Sequence, residues 1–467
     1  MRSVLPILLL LLPLTAQAEV VSFDQAWQQL QHVSDKLKAE NQQVEGAKAQ
    51  AEATKALDLP SLSISGSYTH LADPVELDLR DLNPLASLDI ATLPPQIGPV
   101  IGQIIGQIPA SSFITQMSEQ DIFTASLQAM WPIYTGGKIT AAQRIKQAQV
   151  TEKQQSMLLA KRELFTTLVD RYYAVAVTEA FVNTQAQLVN SLQKHVDHAK
   201  ALEQQGQISK VERLNAEVTL ANANVSYGSA QRQQQMAQIA LAKMLHQSQV
   251  NTDSPLFMLT NTPSLPQITQ LTMSTHPALS LIESKERQAQ GLVDLEKSAY
   301  LPKVFLYGNY KLYSDDSLVS EMAPDWMVGV GVKVPLISNS GRGDKVEAAK
   351  SALLQARYTK AQTKQDLSLL LDQTYRQLQQ AQEEVNALNT SFALAKENLR
   401  LRELAFNQGL STSIEQVDAE LKLNAVETKQ IAAKYRYIQA YARLMAVSGQ
   451  LQQFISRTHQ QEKANAR

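Results

Sequence analysis

Residues 406–419 read Phe406-Asn407-Gln408-Gly409-Leu410-Ser411-Thr412-Ser413-Ile414-Glu415-Gln416-Val417-Asp418-Ala419. They close a long stretch, Asp344 to Gln408, that holds no Gly or Pro. A lone glycine is the usual residue just past a helix end, and Ser or Thr is a natural N-cap for the next helix. The segment therefore reads as the tip of a helical hairpin: a long helix arrives, turns at Gly409 and returns to about Val447. The pattern recurs upstream. Lys138 to Gln205 is again free of Gly and Pro, stops at Gly206, passes Ile208-Ser209 and returns to about Gln247.

At about 1.5 Å per residue each outgoing helix reaches roughly 100 Å, several times the length of a globular helix. Its apolar residues (Leu371, Tyr375, Leu378, Val385, Leu388, Phe392, Ala395 and Leu399) follow the three-and-four spacing of a packed seam. Such a stripe names a shape and not a function, and a solvated coiled-coil rod fits it equally well.

A shift of 203 residues lays the first hairpin on the second: Pro132 on Pro335, Leu168 on Leu371, Tyr172 on Tyr375, Gly206 on Gly409, Glu212 on Glu415, Glu217 on Glu420 and Leu241 on Leu444. Upstream a shift of 242 lays Phe23 on Leu265 and Leu59-Pro60 on Leu301-Pro302. The chain is thus an internal duplication, with its extra residues inserted between Pro60 and Pro132. Residues 19–250 form the first repeat, 251–449 the second, and 450–467 a polar tail.

Between these anchors the period changes to two. Leu62, Ile64 and Tyr68 alternate with Ser61, Ser63, Ser65, Ser67 and Thr69, and Phe123, Ala125, Leu127, Ala129 and Trp131 alternate with Thr124, Ser126 and Gln128. The second repeat matches with Val304, Leu306, Tyr310 and Leu312, then Val328, Val330, Val332 and Val334. Strands are expected at about 61–70, 122–132, 303–313 and 326–336. Each has the length of a tilted membrane-crossing strand with one apolar face, and Trp131, Tyr134, Tyr300 and Trp326 fall near strand ends, where interfacial aromatics belong. Four strands cannot close a barrel, because the smallest membrane barrels have about eight, so several copies of the chain must share one.

Composition narrows the remaining options. The 467 residues carry 43 Lys+Arg against 44 Asp+Glu, which denies nucleic acid the basic footprint it needs. There is no cysteine, hence no disulfide, thiolate metal site or lipid-modified N-terminal cysteine. Arg2, the apolar run Val4 to Leu14 and Ala16-Gln17-Ala18 read as an export signal over residues 1–18. Beyond it no apolar run has the roughly 20 residues of a spanning helix. His195 and His198 have metal-pair spacing on a helix but lack a third ligand nearby, and read as a solvated pair. Arg342-Gly343-Asp344 is a turn entering a helix. No Ser/His/Asp arrangement or phosphate-cradling glycine loop stands out; no enzyme activity and no cofactor are expected.

Taken together, these features resemble the TolC family of outer-membrane efflux and secretion channels over essentially the whole mature chain. The most specific stretches are Trp131-Pro132-Ile133-Tyr134-Thr135-Gly136-Gly137 and the tip at 406–419. The resemblance implies a mixed, mainly α fold. Three chains would give four strands each to a 12-stranded transmembrane β-barrel continuous with a trimeric α-helical periplasmic barrel. A mixed α/β belt would draw on residues around 251–270 and on the C-terminal tail. The function implied by the same resemblance is that of the outer-membrane exit channel of a tripartite efflux pump or type I secretion system. The homotrimer would work with a periplasmic adaptor protein and an inner-membrane transporter of the RND, ABC or MFS type, in contact with outer-membrane lipid. A periplasmic coiled-coil scaffold or adaptor is the alternative.

Site residues follow from the same resemblance. Glu415 and Asp418 match carboxylates that line the periplasmic gate; three apart on a helix, they share a face, and close like charges raise one another's pKa and attract cations. Glu212 matches the latch acid at the first tip. Where the family's best-known member latches with tyrosine and arginine this chain has Phe406 and Ser411, and Lys210 or Arg213 are weak candidates to replace them. Gly206, Gly409, Leu410, Ser411 and Thr412 form the tip turns expected to meet the adaptor. The insertion, Leu71 to Gln120, is expected as an outer loop whose apolar run Ile97 to Ile108 packs on its symmetry mates, with a lid, lipid or a surface partner as alternatives.

Overall fold

A computed structural model describes residues 19–79, 89–259, 264–314, 320, 322–408 and 410–465. The expected signal segment 1–18, residues 80–88 of the insertion and Gly409 itself lie outside the described residues.

The duplication is visible element by element. Helices α1 (Phe23–Val33) and α2 (Asp35–Lys55) recur 242 residues later as α6 (Leu265–Thr275) and α7 (Pro277–Lys297), with identical lengths. The long helix α4 (Lys138–Gln204) and its return α5 (Lys210–Met244) recur as α8 (Arg342–Asn407) and α9 (Ser413–Ser448). Strands β2 (Ser61–His70) and β5 (Asp121–Tyr134) correspond to β7 (Lys303–Ser314) and β8 (Trp326–Lys333), within a few residues of the expected bounds. The extra residues between β2 and β5 fold into an antiparallel pair, β3 (Val75–Asp78) with β4 (Ile114–Ser118), and a short helix, α3 (Gly98–Gly106), with Pro99 in its first turn. Gly98 and Gly102 of α3 lie against Ile90, which leaves Ile97, Val100 and Ile104 exposed.

Two compact units are distinguishable. One holds residues 48–147 and 287–354 and is built on a four-stranded sheet ordered β2-β5-β7-β8, antiparallel throughout. Register decides what each face presents, since alternate side chains point to opposite sides. Ile64 pairs with Leu127, Leu127 with Tyr310, and Tyr310 with Trp326; a parallel row runs through Trp131, Leu306 and Val330. One face is therefore apolar across all four strands, and these side chains are largely exposed in the single chain. Its reverse carries Ser65 bonded to Ser126 at 3.1 Å, Ser67 to Thr124 at 2.8 Å, and Gln128 donating to Ser65 Oγ at 2.9 Å. On that reverse face Phe305 and Tyr307 lie across Gly331 and Gly329, where an added Cβ would come within 2.5 and 2.7 Å of the rings. The strand-to-helix turn after β5 also needs glycine: Gly136 has φ +65°, and a Cβ there would meet Leu301 at 2.7 Å.

The other unit, the remainder of the chain, is centred on aromatic packing. Phe23, Phe165, Tyr172, Tyr173 and Phe454 are fully buried and touch edge to face or stacked, at ring separations of 5.3 to 5.9 Å. The Tyr172 hydroxyl is satisfied by donating to Val21 O at 2.8 Å, on the strand β1 (Glu19–Val21) that pairs in parallel with β6 (Val250–Thr252). The 450–467 segment, expected as a polar tail, is a helix over its described residues: α10 (Leu451–Asn465) buries Phe454, Ile455 and Thr458 and packs on α1 and α9. Its few apolar residues are spaced to fall on one side, which composition alone conceals.

Phe454→Ala is expected to cost about 3–5 kcal/mol by emptying this cluster. A thermal unfolding midpoint unchanged from wild type would contradict that placement.

Candidate functional site

Both hairpin tips are built the same way. At the first, Gly206 has φ +72°, and the chain closes with Gln207 N donating to Leu202 O at 2.9 Å. At the second, Leu410 N donates to Ala405 O at 2.8 Å, the same bond shifted by 203 residues. Ser209 N-caps α5 by accepting from Glu212 N at 3.4 Å, and Thr412 N-caps α9 by accepting from Glu415 N at 3.3 Å.

The second tip goes further. The Glu415 carboxylate turns back to accept the Thr412 N–H at 3.1 Å, completing a capping box, and also accepts the Ser411 hydroxyl at 2.6 Å. Arg402, on the arriving helix, lies 3.2 Å from the same oxygen. The Ser411 hydroxyl first, then the Thr412 amide and the Arg402 charge, hold the Glu415 pKa below its ordinary value. The like-charge elevation expected for a carboxylate ring is thus opposed within one chain by the cap. Thr412-x-x-Glu415 is a capping-box spacing and carries this role in the sequence; Arg402 has no such signal, because only the fold brings it to the tip.

Asp418, one turn along α9, is exposed and has no side-chain partner among the described residues. The adjacent turn presents Leu410, 77% exposed, and Ile414. Glu212 is half-buried, and neither candidate replacement pairs with it: Arg213 binds Glu203 on α4 and Glu217 on its own helix at 2.8 Å. Serine at 411 and phenylalanine at 406 are likewise occupied locally, Phe406 with its ring 5.6 Å from that of His198. His198 is exposed, as expected of a solvated histidine. His195 is not: its Nε2 lies 3.0 Å from Glu420 Oε2, and the two side chains are each only 12% exposed. No group of three or more metal-ligating side chains occurs among the described residues.

The family description Outer membrane efflux protein matches two stretches of this chain, residues 26–246 and 268–450. The chain belongs to the outer membrane efflux protein family. The two stretches coincide with the two halves of the duplication. Among curated proteins it is similar to Protein CyaE of Bordetella pertussis, 22% identical over 232 residues that make up 47% of this chain and 48% of that protein. The chain thus aligns with about half the length of that relative. Among solved structures it is similar to the outer membrane protein VceC of Vibrio cholerae, with TM-score 0.71, 15% identity, and 91% and 96% of the two chains covered. It is also similar to the CmeC outer membrane channel of Campylobacter jejuni (TM-score 0.69, 14% identity, covering 94% and 89%) and to the open state of the MtrE outer membrane channel of Neisseria gonorrhoeae (TM-score 0.70, 15% identity, covering 92% and 89%). At such identities the likeness establishes the fold, and the resemblance drawn from the sequence is borne out. No described helix is long and apolar enough to cross a membrane.

Because the folded pKa of Glu415 is depressed, its contribution to the cap is present above the unfolded value and is lost as pH falls through the folded one. Hydrogen exchange of 413–417, corrected for its intrinsic pH dependence, should stay protected through the ordinary glutamate range; protection lost already in that range would contradict the depressed value. Thr412→Ala removes a cap typically worth about 1 kcal/mol, so exchange of that turn should accelerate about five-fold. An unchanged rate would mean the cap does not hold the tip.

Proposed function

We propose that this outer-membrane protein is the exit channel of a tripartite efflux pump or type I secretion system, and that it functions as a homotrimer. One observation carries the reading: a four-stranded sheet, apolar over one whole face, whose edge strands β2 and β8 each lack a second neighbour among the described residues. In hydrocarbon each unpaired backbone group costs several kcal/mol, so such a sheet is tolerable only when closed by other strands. Identical copies supply them, three in all on the family resemblance. In water the same sheet would leave its apolar face uncovered, which weighs against a periplasmic scaffold.

The helices support the same assembly. Val211, Leu214, Val218, Val225 and Ile239 form an exposed heptad-spaced stripe on α5, and α8 exposes Leu394, Leu401 and Leu404. Each stripe has the pattern of a coiled-coil seam without its partner, and a neighbouring copy provides one.

At the tips, Asp418 is the carboxylate best placed to act as gate, since its charge is not consumed by the cap; three copies bring three of them around the axis. Glu415 lies one turn before it as the residue that fixes the turn, and Glu212 is the corresponding acid of the first tip. Gly206, Leu410, Ser411 and Thr412, with Gly409 beside them in sequence, are the tip residues this reading assigns to contact with a periplasmic adaptor, which links the channel to an inner-membrane transporter. The channel itself does no chemistry: driving force and substrate choice reside in the transporter.

Purified protein in a planar bilayer is expected to conduct, with a conductance blocked by multivalent cations. Asp418→Ala should weaken that block about ten-fold or more, the scale of losing one charge pair at close range in a narrow pore. A block of unaltered strength would remove Asp418 from the gate, and no conductance at all would overturn the channel reading.

A further inference from the structure

The His195–Glu420 pair is the least exposed ion pair among the described residues, and it is the one near the tips that joins the two halves of the duplicated chain. His195 belongs to α4, the outgoing helix of the first hairpin; Glu420 belongs to α9, the returning helix of the second. Its equivalent in the first repeat behaves differently: Glu217 stays within its own hairpin, bonded to Arg213 at 2.8 Å and 3.8 Å from Lys200. The residue equivalent to His195 is Asn398, which has no comparable charge. Duplication alone therefore does not account for the contact.

A second polar contact continues the same seam. Asn424, one turn beyond Glu420, accepts from Gln185 Nε2 at 3.1 Å and donates to the Thr184 carbonyl at 3.3 Å. Beside these polar contacts, Leu188 and Leu192 of α4 cluster with Val417 of α9 and Ala223 of α5. A seam built only from leucine and valine would be held by buried area that separation must expose. Polar pairs behave differently, since parting helices return each group to water and recover its hydration. Buried polar contacts also tolerate little change of register.

We propose that His195 and Glu420, backed by Gln185 and Asn424, form a separable clasp that holds the first hairpin to the second in the closed state and parts when the tips open. The clasp takes the place of the tyrosine and arginine latch that Phe406 and Ser411 cannot make. It rests on the reading of the chain as a channel opened at its tips. His195 and Glu420 are positioning residues, touching no cargo.

A mutant cycle tests it. His195→Ala and Glu420→Ala are each expected to raise open probability in a planar bilayer about five-fold, as a coupling of this class does. The double variant should open no more than either single variant, and the exchanged pair His195→Glu with Glu420→His should return to within about two-fold of wild type. Single variants that gate like wild type, or effects that multiply in the double variant without rescue by the exchange, would overturn the clasp. Hydrogen exchange of the solubilised protein reads it without any current: both single variants should speed exchange at 186–204 and 413–424 together by about five-fold, and unchanged exchange would reject the clasp. Wild-type protein that conducts nothing would reject the channel reading, and the exchange result would still decide whether the hairpins are clasped.

Discussion

The constraint on which this protein rests is the obligation of every backbone N–H and C=O to find a partner when water is absent. Among the described residues, one chain satisfies it along the three internal seams of its sheet and leaves it unmet along the outer edges of β2 and β8. The apolar face formed by Leu62, Ile64, Leu127, Leu306 and Val330 makes water a poor home for that sheet, and its open edges make lipid worse. Other strands relieve both problems, so on the proposed reading assembly is part of the fold rather than an addition to it.

Duplication sets the economy of the design. Matching lengths of α1 and α6, and of α2 and α7, show how closely the two halves keep one backbone plan. Divergence concentrates where the halves have separate roles. The first repeat alone carries the insertion with α3, and the second alone carries the capping box at its tip. Glu217 and Glu420 occupy equivalent positions and yet serve different contacts, one inside a hairpin and one across two.

Most of the fold was legible because it is written in periodicity. Long runs without Gly or Pro, tip glycines and alternating strands are local signals, and their repetition at fixed shifts multiplied their weight. What stayed hidden depends on contacts between residues far apart in sequence. Nothing local marks Arg402 as a partner of Glu415, or separates His195, which is buried against α9, from His198, which is not. Segment 450–467 misled for a related reason: it is polar on average, and only the spacing of Phe454, Ile455 and Thr458 gives it a buried side. At the tips, the family resemblance named Glu415 and Asp418, and only the geometry separates them: Glu415 is engaged in the capping box, whereas Asp418 is exposed.

Joining of sheet edges between copies is the decisive property. The chain has no native cysteine, so Ile64→Cys on β2, combined with Val328→Cys or Val330→Cys on β8, offers unambiguous thiols on the same face of the sheet but at its opposite edges. Treated in outer membranes with a short bifunctional thiol reagent, such chains should yield covalent dimers and trimers and nothing larger, because the ring closes at three. Chains that remain single under these conditions would show that β2 and β8 do not meet across copies, and the account would fail.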